Sequence, residues 1–358
     1  MAEGTAALPR PLEAPALARP QRTYWGMVWR KLRKDTITMA AIVLLLFMIG
    51  ITLAAPLIGD DVLGFSPIST DLYQRYKPPT WANDAWPTFQ EFTTTCQMGT
   101  GCQWSLWPAI WSSSLAGIRS CLVAAPGTCH WLGTDEAGRD VLTRGIYGGR
   151  ISLRIGAYVA LISMTLGVAA GLLSGYYATT LIDDIVNAII MTLGSIPLLF
   201  LLIILATLFT LSPEGLAFLI GIFSWMGISR LIRGQIFSLR ERDFVMAGRA
   251  VGCTSWRIMY SHILPNVSSI VIVAGIFNVA GAILVEAGLS FLGVGIGPPL
   301  PSWGNMMNGS LGNFADAPWL VVTPGIFIFL TTLSIFLIGD GLRDALDPWV
   351  TETKSERW

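Results

Sequence analysis

Six stretches of this chain are long and apolar enough to cross a lipid bilayer: residues 36–58, 155–177, 185–211, 215–232, 267–292 and 319–338. A helix spanning a hydrocarbon core of ~30 Å needs about 20 mostly apolar residues. Inside lipid each backbone N–H and C=O must find its partner within the protein, so such stretches fold as helices. The expected class is an all-α integral membrane protein. Composition agrees: 13% of the residues are charged, against about 25% in soluble domains. The fourth stretch is the shortest, and Arg230 extends it by snorkelling. Pro197 and Pro324 lie inside stretches, where membrane helices tolerate them. The formal net charge is zero, which gives no electrostatic case for nucleic acid.

Basic residues orient the spans. Residues 1–20 are rich in Ala, Pro and Leu and are expected to be disordered. Arg22, Arg30, Lys31, Arg33 and Lys34 follow, and such clusters stay in the cytoplasm. The apolar run after Asp35 exceeds the roughly 7–15 residues of a signal-peptide core, so it is taken as a permanent anchor. Counting spans places both termini and the loop 233–266 in the cytoplasm, with Arg233, Arg240, Arg242, Arg249 and Arg257 in agreement. Arg139, Arg144, Arg150 and Arg154 fall outside and disagree, but long translocated segments largely escape the rule. The expected organisation is a tail over 1–35, a first span over 36–58 and an extracytoplasmic segment over 59–154. A transmembrane core over 155–338 and a cytoplasmic tail over 339–358 follow.

The extracytoplasmic segment holds Cys96, Cys102, Cys121 and Cys129. An oxidising compartment favours disulfides. Three pairings are possible, with Cys96–Cys102 and Cys121–Cys129 joining near neighbours; four reduced thiols are the alternative. Cys253 is expected to be a free cytoplasmic thiol. Glu286, an acid near the end of an apolar span, either lines a pathway or is hydrogen-bonded within the bundle or at its outer edge. Asp183 and Asp184 are placed to start the third helix, where the dipole favours acids.

The most informative polar island is RERDFVMAGRAVGCTSWRIMYSHILPNV, residues 240–267. Ala247, Gly248, Ala250 and Gly252 let another surface approach the backbone, and Gly252 permits a turn. Leu264-Pro265 begins the return into the membrane. This predicts a short helix, a turn and a second short helix on the cytoplasmic surface; the plain alternative is a loop with one amphipathic helix.

That island resembles the coupling motif E-A-A-x3-G-x9-I-x-L-P of bacterial ABC importer permeases. Ala247 takes the first alanine, Gly252 the glycine, and Leu264-Pro265 the closing pair. Met246 stands for the glutamate, Gly248 for the second alanine and His262 for the isoleucine. Asp243-Phe244 upstream and HILPN at the end are similar to the dipeptide/oligopeptide branch. WLGTDEAGRDVLTRGIYGGRISLRIG (131–156), EAGLSFLGVGIGPPLPSWGNMM (286–307) and GDGLRDALDP (339–348) extend the resemblance in the same order. The stretch 60–130 looks longer than in typical members.

The resemblance implies a type I importer permease fold in a bacterial cytoplasmic membrane. It implies a second homologous permease, two ABC ATP-binding subunits and an extracytoplasmic substrate-binding protein as partners, besides membrane lipids. The coupling residues would be Asp243, Ala247, Gly248, Gly252, His262, Leu264 and Pro265, and peptides the cargo, with nickel or another small solute as alternatives. A secondary transporter or channel is the rival class, for which repeated halves and intramembrane ionisable sites would speak. No repeat is evident, and Glu286 alone qualifies as such a site. No lysine follows a glycine anywhere, so the chain has no G-x-x-x-x-G-K-[ST] loop. ATP and magnesium are therefore expected on partner subunits, with no cofactor, metal or catalytic residue on this chain.

Overall fold

The computed structural model describes residues 24–82, 107–209 and 211–346. Helix α1 (Tyr24–Lys34) ends one residue before α2 (Thr36–Leu53), which Asp35 caps by accepting from the Ile37 N–H at 3.2 Å. Val28 and Leu32 of α1 are buried against Leu342, Ala345 and Leu346, while Trp25, Met27 and Trp29 stay exposed. After a π-helical turn (Leu57–Leu63) and two 3₁₀ turns, the segment between α2 and the next long helix carries α3 (Trp107–Val123). Among the described residues there is no strand, only an isolated bridge between Thr134 and Asp140.

The central element is α4 (Val141–Tyr176), 36 residues long. It begins well before residue 155, because Asp140 caps it, accepting from the Thr143 N–H at 2.7 Å. Arg144, Arg150 and Arg154 therefore lie on this helix and not in a loop, which moves the expected boundary at 154. The third stretch is not one straight span. It divides into α5 (Leu181–Gly194) and α6 (Leu198–Leu208), bent by 75°, with Pro197, which has no N–H to continue the ladder, at the break. Helix α7 (Pro213–Leu239) is longer than its uncharged run. It is followed by α8 (Asp243–Ala250) and α9 (Ser255–Phe291), then the short α10 (Trp303–Met306) and α11 (Trp319–Leu346). Pro324 sits inside α11 without breaking it. Five helices are long and apolar enough to span, and six spans result if the bent pair counts as one.

Lipid tails are as apolar as leucine, so helices associate here by close packing and not by fleeing solvent. Gly167, Gly171 and Gly175, each one turn apart on α4, face Ile228, Ile232 and Ile236 of α7. Gly156 faces Ile283 of α9, and Gly149 admits Thr52 of α2. α4 thus has partners on several sides, and α7 and α9 meet at its C-terminal end in one apolar cluster.

Candidate coupling site

Helix α8 opens on Asp243, an acid in the first turn where the helix dipole favours it. Val245 is fully buried and Gly248 is buried. Val245 joins Leu172 and Tyr176 of α4, Ile232 and Ile236 of α7, and Ile258, Met259 and Ile263 of α9. One face of α8 is therefore fixed to the end of the bundle by the side chains its sequence supplies.

The helix stops at Gly252, whose φ of 78° is the left-handed conformation. Its N–H donates to the Arg249 carbonyl at 3.0 Å, and the Cys253 N–H to the Gly248 carbonyl at 3.0 Å. This pair of bonds is the Schellman closure, which satisfies carbonyls left over at a helix end. Beyond it the expected second short helix is not separate. It is the first part of α9, continuous from Ser255 through a π-helical turn (Ile258–Ile263) into the span. Pro265 has no N–H to donate, and it lies directly after that widened turn. His262 is half-buried and its carbonyl accepts from Asn266 at 2.6 Å; Leu264 packs on the same cluster, and Pro265 is exposed.

The surface of this element turned away from the bundle mixes large apolar side chains with the exposed charges of Asp243, Arg249 and Arg257. Phe244, Met246, Ala247, Val251, Trp256 and Tyr260 are exposed on it, and the Trp256 and Tyr260 rings stack at 5.7 Å. Met246, in place of the motif's acid, adds to this surface. The sequence did not single out Trp256 and Tyr260, although their spacing of four puts them on one helical face.

A second feature was read only as a dipole effect. Asp183 accepts from both Nε and Nη2 of Arg233 at 2.7 Å, from Asn187 at 2.6 Å and from the Thr179 N–H at 3.0 Å. Thr179 holds a φ of 68°, a left-handed position that glycine usually takes. Arg240 donates to the Ala178 carbonyl at 3.0 Å, and Arg249 of α8 lies over the Tyr176 ring at 5.3 Å. The turn between α4 and α5 is thus tied to α7, and the last residue of α4 touches α8.

Glu286 is fully enclosed. It accepts from Ser152 at 2.9 Å and Ser290 at 2.8 Å, so in this chain it is hydrogen-bonded within the bundle. Cys121 and Cys129 are joined in a disulfide, and Cys253 is a half-buried free thiol. Cys96 and Cys102 lie outside the described residues.

Residues 167–352, just over half the chain, match the family of the binding-protein-dependent transport system inner membrane component. The chain belongs to this family. Residues 23–79 match the N-terminal TM domain of oligopeptide transport permease C. The chain is similar to the dipeptide transport system permease protein DppC of Bacillus subtilis, 32% identical over 337 residues covering 94% of this chain and 89% of that one. DppC of Alkalihalophilus pseudofirmus is 39% identical over 242 residues, 67% of this chain and 79% of that one. The oligopeptide transport system permease protein OppC of Haemophilus influenzae is 41% identical over 219 residues, 61% and 70%. This permease is thus a multi-pass inner-membrane component of a transport system.

Gly248 replaces an alanine of the coupling motif, and a methyl group there would meet only Ile258 Cγ1, at an ordinary 3.8 Å. Gly248→Ala is expected to be tolerated and to stabilise by about 0.5–1 kcal/mol, because glycine loses more backbone freedom in a helix. The thermal midpoint of the purified complex checks this, and a drop would show that α8 needs more room than the structure gives it.

Proposed function

We propose that this permease carries di- and oligopeptides inward and is driven by ATP-binding subunits that dock on α8 and the first turns of α9. The observation that carries this is the element's two-faced build. Val245 seats one face in the bundle, Gly252 sets the angle, and the opposite face exposes Phe244, Met246, Trp256 and Tyr260 together with the charges of Asp243 and Arg257. A docking surface held by α4, α7 and α9 together moves these helices when it moves. The dipeptide and oligopeptide names of the relatives support the cargo.

The chain itself makes no chemical bond. Two ATP-binding subunits hold ATP and Mg²⁺, a second homologous permease completes the pathway, and an extracytoplasmic binding protein delivers the peptide. Transmission requires that α8 contact the ATPase differently in two states, since equal affinity for both shifts nothing. α8 and both termini face the cytoplasm, and the segment from residue 59 to the start of α4 lies outside; the basic residues of α1 and of 233–257 support this orientation.

Reconstitution in vesicles of known sidedness tests all of this together. Labelled tripeptide is expected to accumulate only with ATP and ATPases on the α8 side and binding protein on the other. Uptake without ATP, driven by an ion gradient, would favour a secondary transporter instead.

A further inference from the structure

An apolar cavity of about 470 Å³ opens between α2, α4, α9 and α11. Leu45, Ile49 and Leu53 of α2, Leu153 of α4, Val279 of α9 and Ile335 of α11 line it. Leu53 lies eight residue steps along the helix from Leu45, roughly 12 Å at ~1.5 Å per step, most of one leaflet of a ~30 Å core. Two arginines of α4, Arg150 and Arg154, also line it; Gly149 packs on Thr52, which puts Arg150 near the Leu53 end and Arg154 one turn further in. They are four residues apart and so share a helix face.

The arginines are what the bundle does not explain. Arg150 has no ion-pair partner among the described residues. Arg154 meets Glu214 at 3.5 Å, with both side chains about half exposed, an arrangement that contributes little. A guanidinium at the edge of hydrocarbon is costly unless it finds an anion or water. Its planar fork matches the oxygens of a phosphate.

We propose that this groove binds an anionic phospholipid of the bilayer, one acyl chain lying along α2 and its phosphate on Arg150 and Arg154. The charge at the mouth selects the headgroup, and the apolar walls hold the chain. Under the proposed topology the site faces the outer leaflet. The occupant holds α2 against α4, which bears on how firmly the first span stays with the core. The proposal stands on the groove alone, so it is independent of the cargo being peptide.

The test uses the whole complex, delipidated in detergent and titrated with phosphatidylglycerol, with phosphatidylethanolamine as the comparison, bound lipid being counted by native mass spectrometry. Wild type is expected to retain phosphatidylglycerol preferentially. Arg150→Gln and Arg154→Gln are each expected to weaken retention about fivefold, from the roughly 1 kcal/mol per basic residue near an anionic surface. Leu153→Trp fills the groove with both arginines in place, and it is expected to reduce retention of both lipids. Equal retention by wild type and all three variants overturns the proposal. So does a thiol crosslink from Leu53→Cys to the second permease in the intact complex, which would assign the groove to a partner helix.

Discussion

Gly171→Ile is expected to prevent the complex from accumulating as a monodisperse species. A Cβ at Gly171 would lie 2.7 Å from the Ser229 carbonyl oxygen and 2.9 Å from Ile232 Cβ. Neither atom can swing aside, one being backbone and the other the branch point of a buried side chain. Overpacking in a fitted core costs about 1–3 kcal/mol and sometimes more. Here α4 and α7 are joined largely by that close approach, with Gly167 and Gly175 one turn to either side. Separating them at the middle of the stripe loosens all three contacts. Gly171→Ala is expected to fall between, since the gain of about 1 kcal/mol in helix propensity opposes part of the clash. Gly234→Ala on α7, with nothing within 4 Å of the added atom, is the control and should keep the wild-type profile with a midpoint at or above that of wild type. Size-exclusion profiles and thermal midpoints in detergent read the series. A Gly171→Ile protein with the wild-type profile and midpoint would mean that the α4–α7 seam is not the one described.

The charge-free runs found the spans because hydrophobicity decides what enters lipid, and they misplaced the ends because helices do not stop where lipid does. Residues 141–154 of α4 carry three arginines, so no hydropathy argument includes them; the Asp140 N-cap was the available signal. Pro197 was visible, but its bend was not, since a proline inside a membrane helix bends it by an amount that the neighbours settle. The Gly252 turn was legible because a left-handed residue narrows the choice to glycine and little else. The continuity of α9 was not, because Pro265 reads equally as a start or as a tolerated position. Gly167, Gly171 and Gly175 stand at plain spacing of four, a signal present and unused. The Asp183–Arg233 pair joins residues 50 positions apart, and only the packing of α5 on α7 brings them together. Glu286 needed Ser152 from another helix to be understood.

Gly252→Val is expected to leave membrane insertion intact and to lower peptide uptake by roughly 5–30-fold. That range converts the ~1–2 kcal/mol that an L-residue loses in the left-handed conformation, on the premise that the lost free energy falls on the docked state; a branched Cβ adds to the penalty. The residue has open space around it, with nothing within 4 Å of an added Cβ, so the cost is backbone and not collision. Relief requires rotating φ away from 78°, which breaks the Gly252-to-Arg249 and Cys253-to-Gly248 bonds. Helix α8 then keeps its Val245 anchor but loses its fixed angle to α9. Gly252→Asn separates this from general damage, because asparagine tolerates the left-handed region and should retain most activity. Ala247→Trp attacks the same element differently, placing bulk on the exposed face without touching the turn. Both Gly252→Val and Ala247→Trp are expected either to release the ATPase in a pull-down or to leave it bound with turnover that no longer rises with peptide-loaded binding protein. Wild-type assembly, stimulated turnover and uptake in both would remove α8 as the coupling site. Loss of uptake in Gly252→Val together with full activity in Gly252→Asn would tie transport to one backbone conformation.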